Sequence, residues 1–215
     1  MIRAENIYLF LCTMFSVLLV MGNLIYQKIV SIDFFHIHTF ELSVGAILYP
    51  LTFLLSDLIT EFYGKEKARF CVKLGISMNV LVVLLLLGMD QLHATSWSKL
   101  DDQTFHQVFG MYGIAFLGSM IACFVGQMID IKLYAWIKLL TKGKWIWIRN
   151  NLSTGSSLLI DTTIVISFLT LFKVLPFDQI GNLIFNSYIF KLCFTVCCTP
   201  IFYLLILFIK RISKN

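Results

Sequence analysis

The chain has 215 residues, 59% of them hydrophobic and only 13% charged, where an ordinary soluble domain carries about 25% charged residues. Its mean hydropathy is +0.85, and Phe alone fills 20 positions. So few charges cannot cover a water-facing surface, so the outside must face lipid, and the long, unbroken apolar stretches exclude an alternating transmembrane barrel. The net charge of +5 does not point to a nucleic-acid partner, because the basic residues sit between apolar stretches and at the ends, as topology signals do.

Taken in chain order, the apolar stretches predict an all-α, polytopic integral membrane protein with six transmembrane helices, over roughly 6–27, 41–62, 71–90, 110–137, 152–173 and 183–209. Each has about the 20 residues that cross a hydrocarbon core. The whole of 1–215 reads as a single six-span domain. The first apolar run, Ile7 to Ile25, is too long for the h-region of a cleavable signal peptide. Pro50 and Pro200 fall inside spans two and six, where kinks are expected. The six cysteines form no C-x-x-C pair and read as reduced thiols packed among helices.

The connections alternate in charge. That between spans two and three carries Lys65, Lys67, Arg69 and Lys73; that between four and five carries Lys138, Lys142, Lys144 and Arg149; the end carries Lys210, Arg211 and Lys214. The other connections are poorer in basic residues. The positive-inside rule then puts both termini in the cytoplasm. Trp136, Trp145 and Trp147 flank the fourth connection as an interfacial aromatic belt would. Two halves of three spans are compatible with a 3+3 inverted repeat, although the halves show no convincing sequence match.

Ionisable and amide groups at membrane depth are costly and normally face the bundle interior, so they are the candidate functional residues. Phe53, Asp57 and Glu61 follow at i, i+4, i+8 and form one ridge of span two. Gln127, Asp130 and Tyr134 share a face of span four; Asn150 and Asn151 open span five, and Ser153, Ser157 and Asp161 follow along one face of it. Structural roles stand beside the functional ones. Glu61 would pair with Lys65 or Lys67 at the interface. Asp57 and Asp130 would serve as interhelical hydrogen-bonding groups, as would Asn23, Gln27, Asn79 and Asn186. The two asparagines at 150 and 151 would cap span five. Asp161 is the hardest to explain by structure alone. His36-x-His38 lacks a third ligand and reads as solvated. No catalytic constellation, metal site or cofactor motif is present, and no enzyme is expected.

Three strings carry a resemblance: SDLITEFYGKEKAR (Ser56 to Arg69), QMIDIKLYAWIK (Gln127 to Lys138) and WIRNNLSTGSSLLIDT (Trp147 to Thr162). In order and spacing they resemble the queuosine precursor transporter family, also known as the vitamin uptake transporter family. The resemblance runs from span one to span six. It implies a multi-pass protein of the bacterial inner membrane that imports 7-deazaguanine bases, the cyano and aminomethyl precursors or queuine, for tRNA modification. It implies a nucleobase substrate, the lipid bilayer as the surrounding partner, no nucleic-acid partner and no cofactor; a homo-oligomer is compatible with it. The family's functional weight falls on Asp57, Glu61, Gln127, Asp130, Asn150, Asn151 and Asp161. A deazaguanine offers a pair of parallel donors that a carboxylate matches, an acceptor that an amide matches, and a flat face for Phe53 or Tyr134 to stack on. The rival readings are a substrate-binding subunit of an energy-coupling-factor vitamin transporter, a membrane enzyme, and an assembly factor.

Overall fold

The computed structural model of the chain describes residues 2–34, 38–110, 113–173 and 176–214. In chain order it contains α1 (Ile2–Leu24), a hairpin of β1 (Ile29–Phe34) and β2 (His38–Ser43), α2 (Val44–Tyr63), α3 (Lys65–Met89), the single turn α4 (Asp102–Phe105) running into a π-turn over His106–Gly110, α5 (Gly113–Leu140), α6 (Ile146–Leu171), a 3-10 turn over Phe177–Gln179, and α7 (Ile180–Lys214). Six of these helices, α1, α2, α3, α5, α6 and α7, are long and apolar enough to cross a membrane. The protein is an all-α, multi-pass membrane protein.

Successive helices alternate in direction. The hairpin, the 90–110 segment and the 3-10 turn over Phe177–Gln179 therefore gather at one end of the bundle, called here the hairpin end. The α2–α3 and α5–α6 turns gather with both terminal segments at the other, the basic end. Trp136, Trp145 and Trp147 are exposed at the basic end, in keeping with an interfacial belt.

Local chemistry sets the breaks. Ser43 caps α2, its hydroxyl accepting from the Gly45 N–H and donating to the Tyr26 carbonyl. Between α2 and α3 the chain turns at Gly64, whose φ of 82° suits a residue without a Cβ. The α5–α6 turn closes with the Gly143 N–H on the Lys138 carbonyl at 2.9 Å and Lys142 in the left-handed region, the Schellman arrangement.

Helix α2 sits at the centre and touches all five other spanning helices. It is correspondingly the most enclosed, whereas α3 and α7 bury the smallest share of their length. Their outward faces carry Leu81, Leu84, Leu85, Leu204, Leu207 and Phe208, all exposed, an apolar surface suited to lipid. At the hairpin end α1 and α2 meet backbone to backbone: a methyl on Gly45 would run into the Gly22 carbonyl. Gly126 on α5 likewise lies against the Asp161 Cβ and the Phe53 ring, so small residues set the helix spacing where the polar groups converge.

The sequence reads 28–40 as a short loop with span two starting at 41, but an antiparallel hairpin runs to Ser43, with Asp33 paired to Thr39 and Ile29 to Ser43, and α2 begins only at Val44. Its period-two pattern is plain along β2: Phe40 and Leu42 are buried while Thr39 and Glu41 are exposed. The Phe40 ring packs edge-on against Phe190 of α7 at 5.6 Å, which fixes the hairpin over the bundle mouth. His36 of the His36-x-His38 pair lies outside the described residues. The 90–106 segment is held by its own polar contacts. His106 meets Asp90 at 2.6 Å, and Asp101 caps α4 through the Thr104 N–H. Asp102 accepts from the Ala94 N–H at 2.6 Å and faces His93 at 3.2 Å. These donors hold the Asp101 and Asp102 carboxyls below the usual range, Thr104 acting on the first and Ala94 and then His93 on the second.

The Gly22–Gly45 contact makes a clear expectation. Gly45→Ala should destabilise the detergent-solubilised protein by about 1–3 kcal/mol, the usual result of overpacking. Gly88→Ala on α3, where a Cβ would meet nothing within 4 Å, should be neutral or slightly stabilising. Thermal unfolding of both variants checks the contrast.

Candidate functional site

Polar side chains from α2, α5, α6 and α7 form three groups along the bundle axis. The group at the basic end is built on Glu61. The buried guanidinium of Arg149 lies 2.7 Å from its Oε1, and Lys138 Nζ lies 3.0 Å from its Oε2. Lys138 also donates to the Glu61 carbonyl at 2.8 Å. The Tyr134 hydroxyl donates to Oε2 and accepts from Arg149 Nε, each at 3.2 Å, while Arg149 Nη1 donates to the Gly143 carbonyl at 3.0 Å. Neither Lys65 nor Lys67 is Glu61's ion-pair partner; Lys138 and Arg149, brought in from α5 and α6, take that place because their side chains point into the bundle. The carboxylate is thus saturated by two cations, and this knot closes the basic end.

The middle group is acidic and under-satisfied. Asp57 and Asp130 are both fully buried and lie at the same level of the bundle, between the Thr52–Gln127 and Glu61–Tyr134 contacts that join α2 to α5. Asp57 Oδ2 accepts from the Thr154 hydroxyl at 3.2 Å. Asp57 Oδ1, both Asp130 oxygens, Gln127 Oε1 and the Ser157 hydroxyl are buried without a hydrogen-bond partner. The Gln127 amide donates to the Thr52 hydroxyl at 3.1 Å, tying α5 to α2.

The third group lies toward the hairpin end and is centred on Asp161. Its Oδ1 accepts from the Tyr49 hydroxyl at 2.5 Å, and its Oδ2 faces Lys191 Nζ at 3.0 Å. Lys191 also donates to Thr162 Oγ1 at 3.1 Å and stands 4.7 Å from the centre of the Tyr49 ring. These side chains form part of the lining of a cavity of 620 Å³, within the range of small-molecule sites. Asn23 from α1, Tyr26 and Gln27 from the turn that follows it, Glu41 and Ser43 of the hairpin segment, and Ser119 from α5 also line it. The cavity therefore runs from the hairpin end down to Asp161 and Lys191.

Of the nine residues singled out from sequence, six fall in these groups: Glu61 and Tyr134 at the basic end, Asp57, Gln127 and Asp130 in the middle, and Asp161 toward the hairpin end. Phe53, Asp57, Gln127, Asp130, Tyr134, Asn150 and Asp161 are all buried, and Glu61 nearly so. Asp161 alone among them lines the cavity. Asn151 bonds the Trp147 carbonyl at 2.9 Å and the Thr199 hydroxyl at 3.0 Å, joining α6 to α7. Asn23 bonds Ser119, and Asn79 donates to the Met120 sulfur. Sequence reasoning missed Lys191 and Tyr49 and took Arg149 and Lys138 for loop charges. A lysine in the middle of the apolar run IFKLCF was the available signal for Lys191.

Residues 43–205 match the family described as "Putative vitamin uptake transporter". The chain belongs to that family. It is also 27% identical over 164 residues to the "Probable queuosine precursor transporter" of Bacillus subtilis (strain 168), an alignment covering 75% of this chain and 70% of that protein. No solved structure matches the chain. The matched segment of this vitamin uptake transporter family member begins at the cap of α2 and takes in all three polar groups. The paired charges in it should be mutually dependent. Lys191→Met leaves the Asp161 carboxylate buried and unpaired, a loss of about 3 kcal/mol, and should reduce the folded, monodisperse yield. Adding Asp161→Asn to it should restore the yield, as size-exclusion profiles of the single and double variants will report.

Proposed function

We propose that the protein imports queuosine precursors, taking a 7-deazaguanine base from the hairpin end through the cavity to Asp161 and Lys191. The observation that carries this reading is the pairing of a carboxylate with an ammonium at the floor of a largely apolar cavity. The polar edge of a deazaguanine offers a carbonyl acceptor beside two donors, the ring N–H and the exocyclic amine. Asp161 accepts the two donors bidentately, and Lys191 donates to the carbonyl. In the empty site these groups satisfy each other and Tyr49, so the base replaces contacts that already exist and leaves no charge bare. Tyr26 and Tyr49 supply aromatic faces for the ring system.

The name of the Bacillus subtilis relative supports this substrate class. Under this reading the basic end faces the cytoplasm of a bacterial cell and the hairpin end faces outward, in accord with the positive-inside rule. Asp57, Gln127, Asp130 and Asn150 lie on the inward path beyond Asp161, and Glu61 belongs to the closure of that path. The aminomethyl precursor and queuine carry a cationic amine, and Glu41, exposed at the cavity lining, is the acid placed to meet it.

Uptake of labelled bases into a strain unable to make them, read out as queuosine in tRNA, tests the assignment. Asp161→Ala should abolish uptake of every precursor. Glu41→Gln should weaken uptake of the aminomethyl base about fivefold, the loss of one partly exposed ion pair worth about 1 kcal/mol, and leave the neutral cyano base unaffected. Full uptake by Asp161→Ala refutes the site, and an equal effect of Glu41→Gln on both bases refutes the role of Glu41.

A further inference from the structure

The polar groups of the bundle do not balance. Four carboxyls, Asp57, Glu61, Asp130 and Asp161, are drawn into its interior, yet its ion pairs there use three cations: Arg149 and Lys138 on Glu61, and Lys191 on Asp161. Among the described residues none of these cations reaches Asp57 or Asp130. The two carboxyls are fully buried at the same level of α2 and α5, between the Thr52–Gln127 contact on one side and the Glu61–Tyr134 contact on the other. Their surroundings are a third acid, Glu61, on α2, the Tyr134 hydroxyl on α5, and the hydroxyls of Ser153 and Thr154 on α6; Arg149 of α6 reaches this neighbourhood only through Tyr134 and Glu61. Two ionised carboxylates side by side in such a place, with no cation, would be strongly disfavoured. Gln127 Oε1 and Ser157 Oγ, buried on the adjoining turns of α5 and α6, add unpartnered polar atoms to the same layer. Neither carboxyl lines the cavity that ends at Asp161 and Lys191, so the missing positive charge is one that needs no cavity of its own.

We propose that Asp57 and Asp130 form a proton-binding pair that couples import to the proton gradient. One proton sits between the two carboxyls, as an O–H on one hydrogen-bonded to an oxygen of the other. It enters from the hairpin end and leaves at the basic end once per transport cycle. Asp161, Ser157 and Ser153 lie on one face of α6 at successive turns, about 5–6 Å apart, and lead from the cavity floor to the pair; Tyr134 and Glu61 continue toward the basic end. The proposal rests on the carrier reading given above for its coupling role, while the protonation of the pair stands on the geometry alone.

The test uses the full chain reconstituted into lipid vesicles, with the cyano base as probe because it is uncharged. An inward proton gradient of one pH unit should drive accumulation of about tenfold at one proton per base, a protonophore should abolish it, and a sodium gradient should have no effect. Infrared spectra of the same vesicles at neutral pH should contain a protonated-carboxyl C=O band that is missing from Asp57→Asn and from Asp130→Asn, and both variants should lose gradient-driven accumulation. Accumulation driven by sodium, or uptake indifferent to both gradients, overturns the coupling. Absence of the band, or its persistence in both variants, overturns the proton site. A band without any movement of base leaves the site standing and removes the carrier reading together with the coupling.

Discussion

In hydrocarbon an ionised side chain persists only beside a counter-charge, and this constraint organises the interior of the bundle. The ties that satisfy it radiate from α2. Glu61 draws in Lys138 from α5 and Arg149 from α6. Thr52 holds Gln127 of α5, and Asp57 accepts from Thr154 of α6. Tyr49 meets Asp161 of α6, which in turn holds Lys191 of α7. The helices around α2 are thus positioned by hydrogen bonds and ion pairs as well as by packing, and packing alone gives little discrimination where lipid tails are as apolar as leucine.

The same ties give the bundle its asymmetry. At the hairpin end the chain leaves a cavity that stops at the Asp161–Lys191 pair. At the basic end the Glu61, Arg149, Lys138 and Tyr134 knot fills the interior with direct contacts. The arrangement is open on one side and sealed on the other, which is what one half of an alternating-access cycle demands of a carrier. A ligand with its own donors and acceptors can exchange with the pair at the cavity floor without leaving either charge bare, so in the proposed site the groups that stabilise the empty protein are also those that the base displaces.

Much of this was legible in the sequence, for reasons that can be traced. The six spans follow from apolar length alone, and the ridges Phe53–Asp57–Glu61 and Gln127–Asp130–Tyr134 follow from helical spacing; both ridges do turn inward. What escaped was anything set by contact between distant segments. Arg149 and Lys138 look like interfacial loop charges until α5 and α6 bring them onto Glu61. Lys191 was hidden by the strong apolar average of its surroundings, and its partner lies thirty residues earlier on another helix. The hairpin was overlooked because a membrane protein's connections are read by charge, although Phe40 and Leu42 against Thr39 and Glu41 carry the alternation of a strand.

The central claim is that the cavity ending at Asp161 and Lys191 is where a deazaguanine base binds. An experimental structure of the protein in lipid nanodiscs with the aminomethyl base bound tests it most directly. The account requires density for the ring between Tyr49, Asp161 and Lys191, with the donor edge on the carboxylate. Base density elsewhere, with the Asp161–Lys191 ion pair intact beneath an empty cavity, would contradict it.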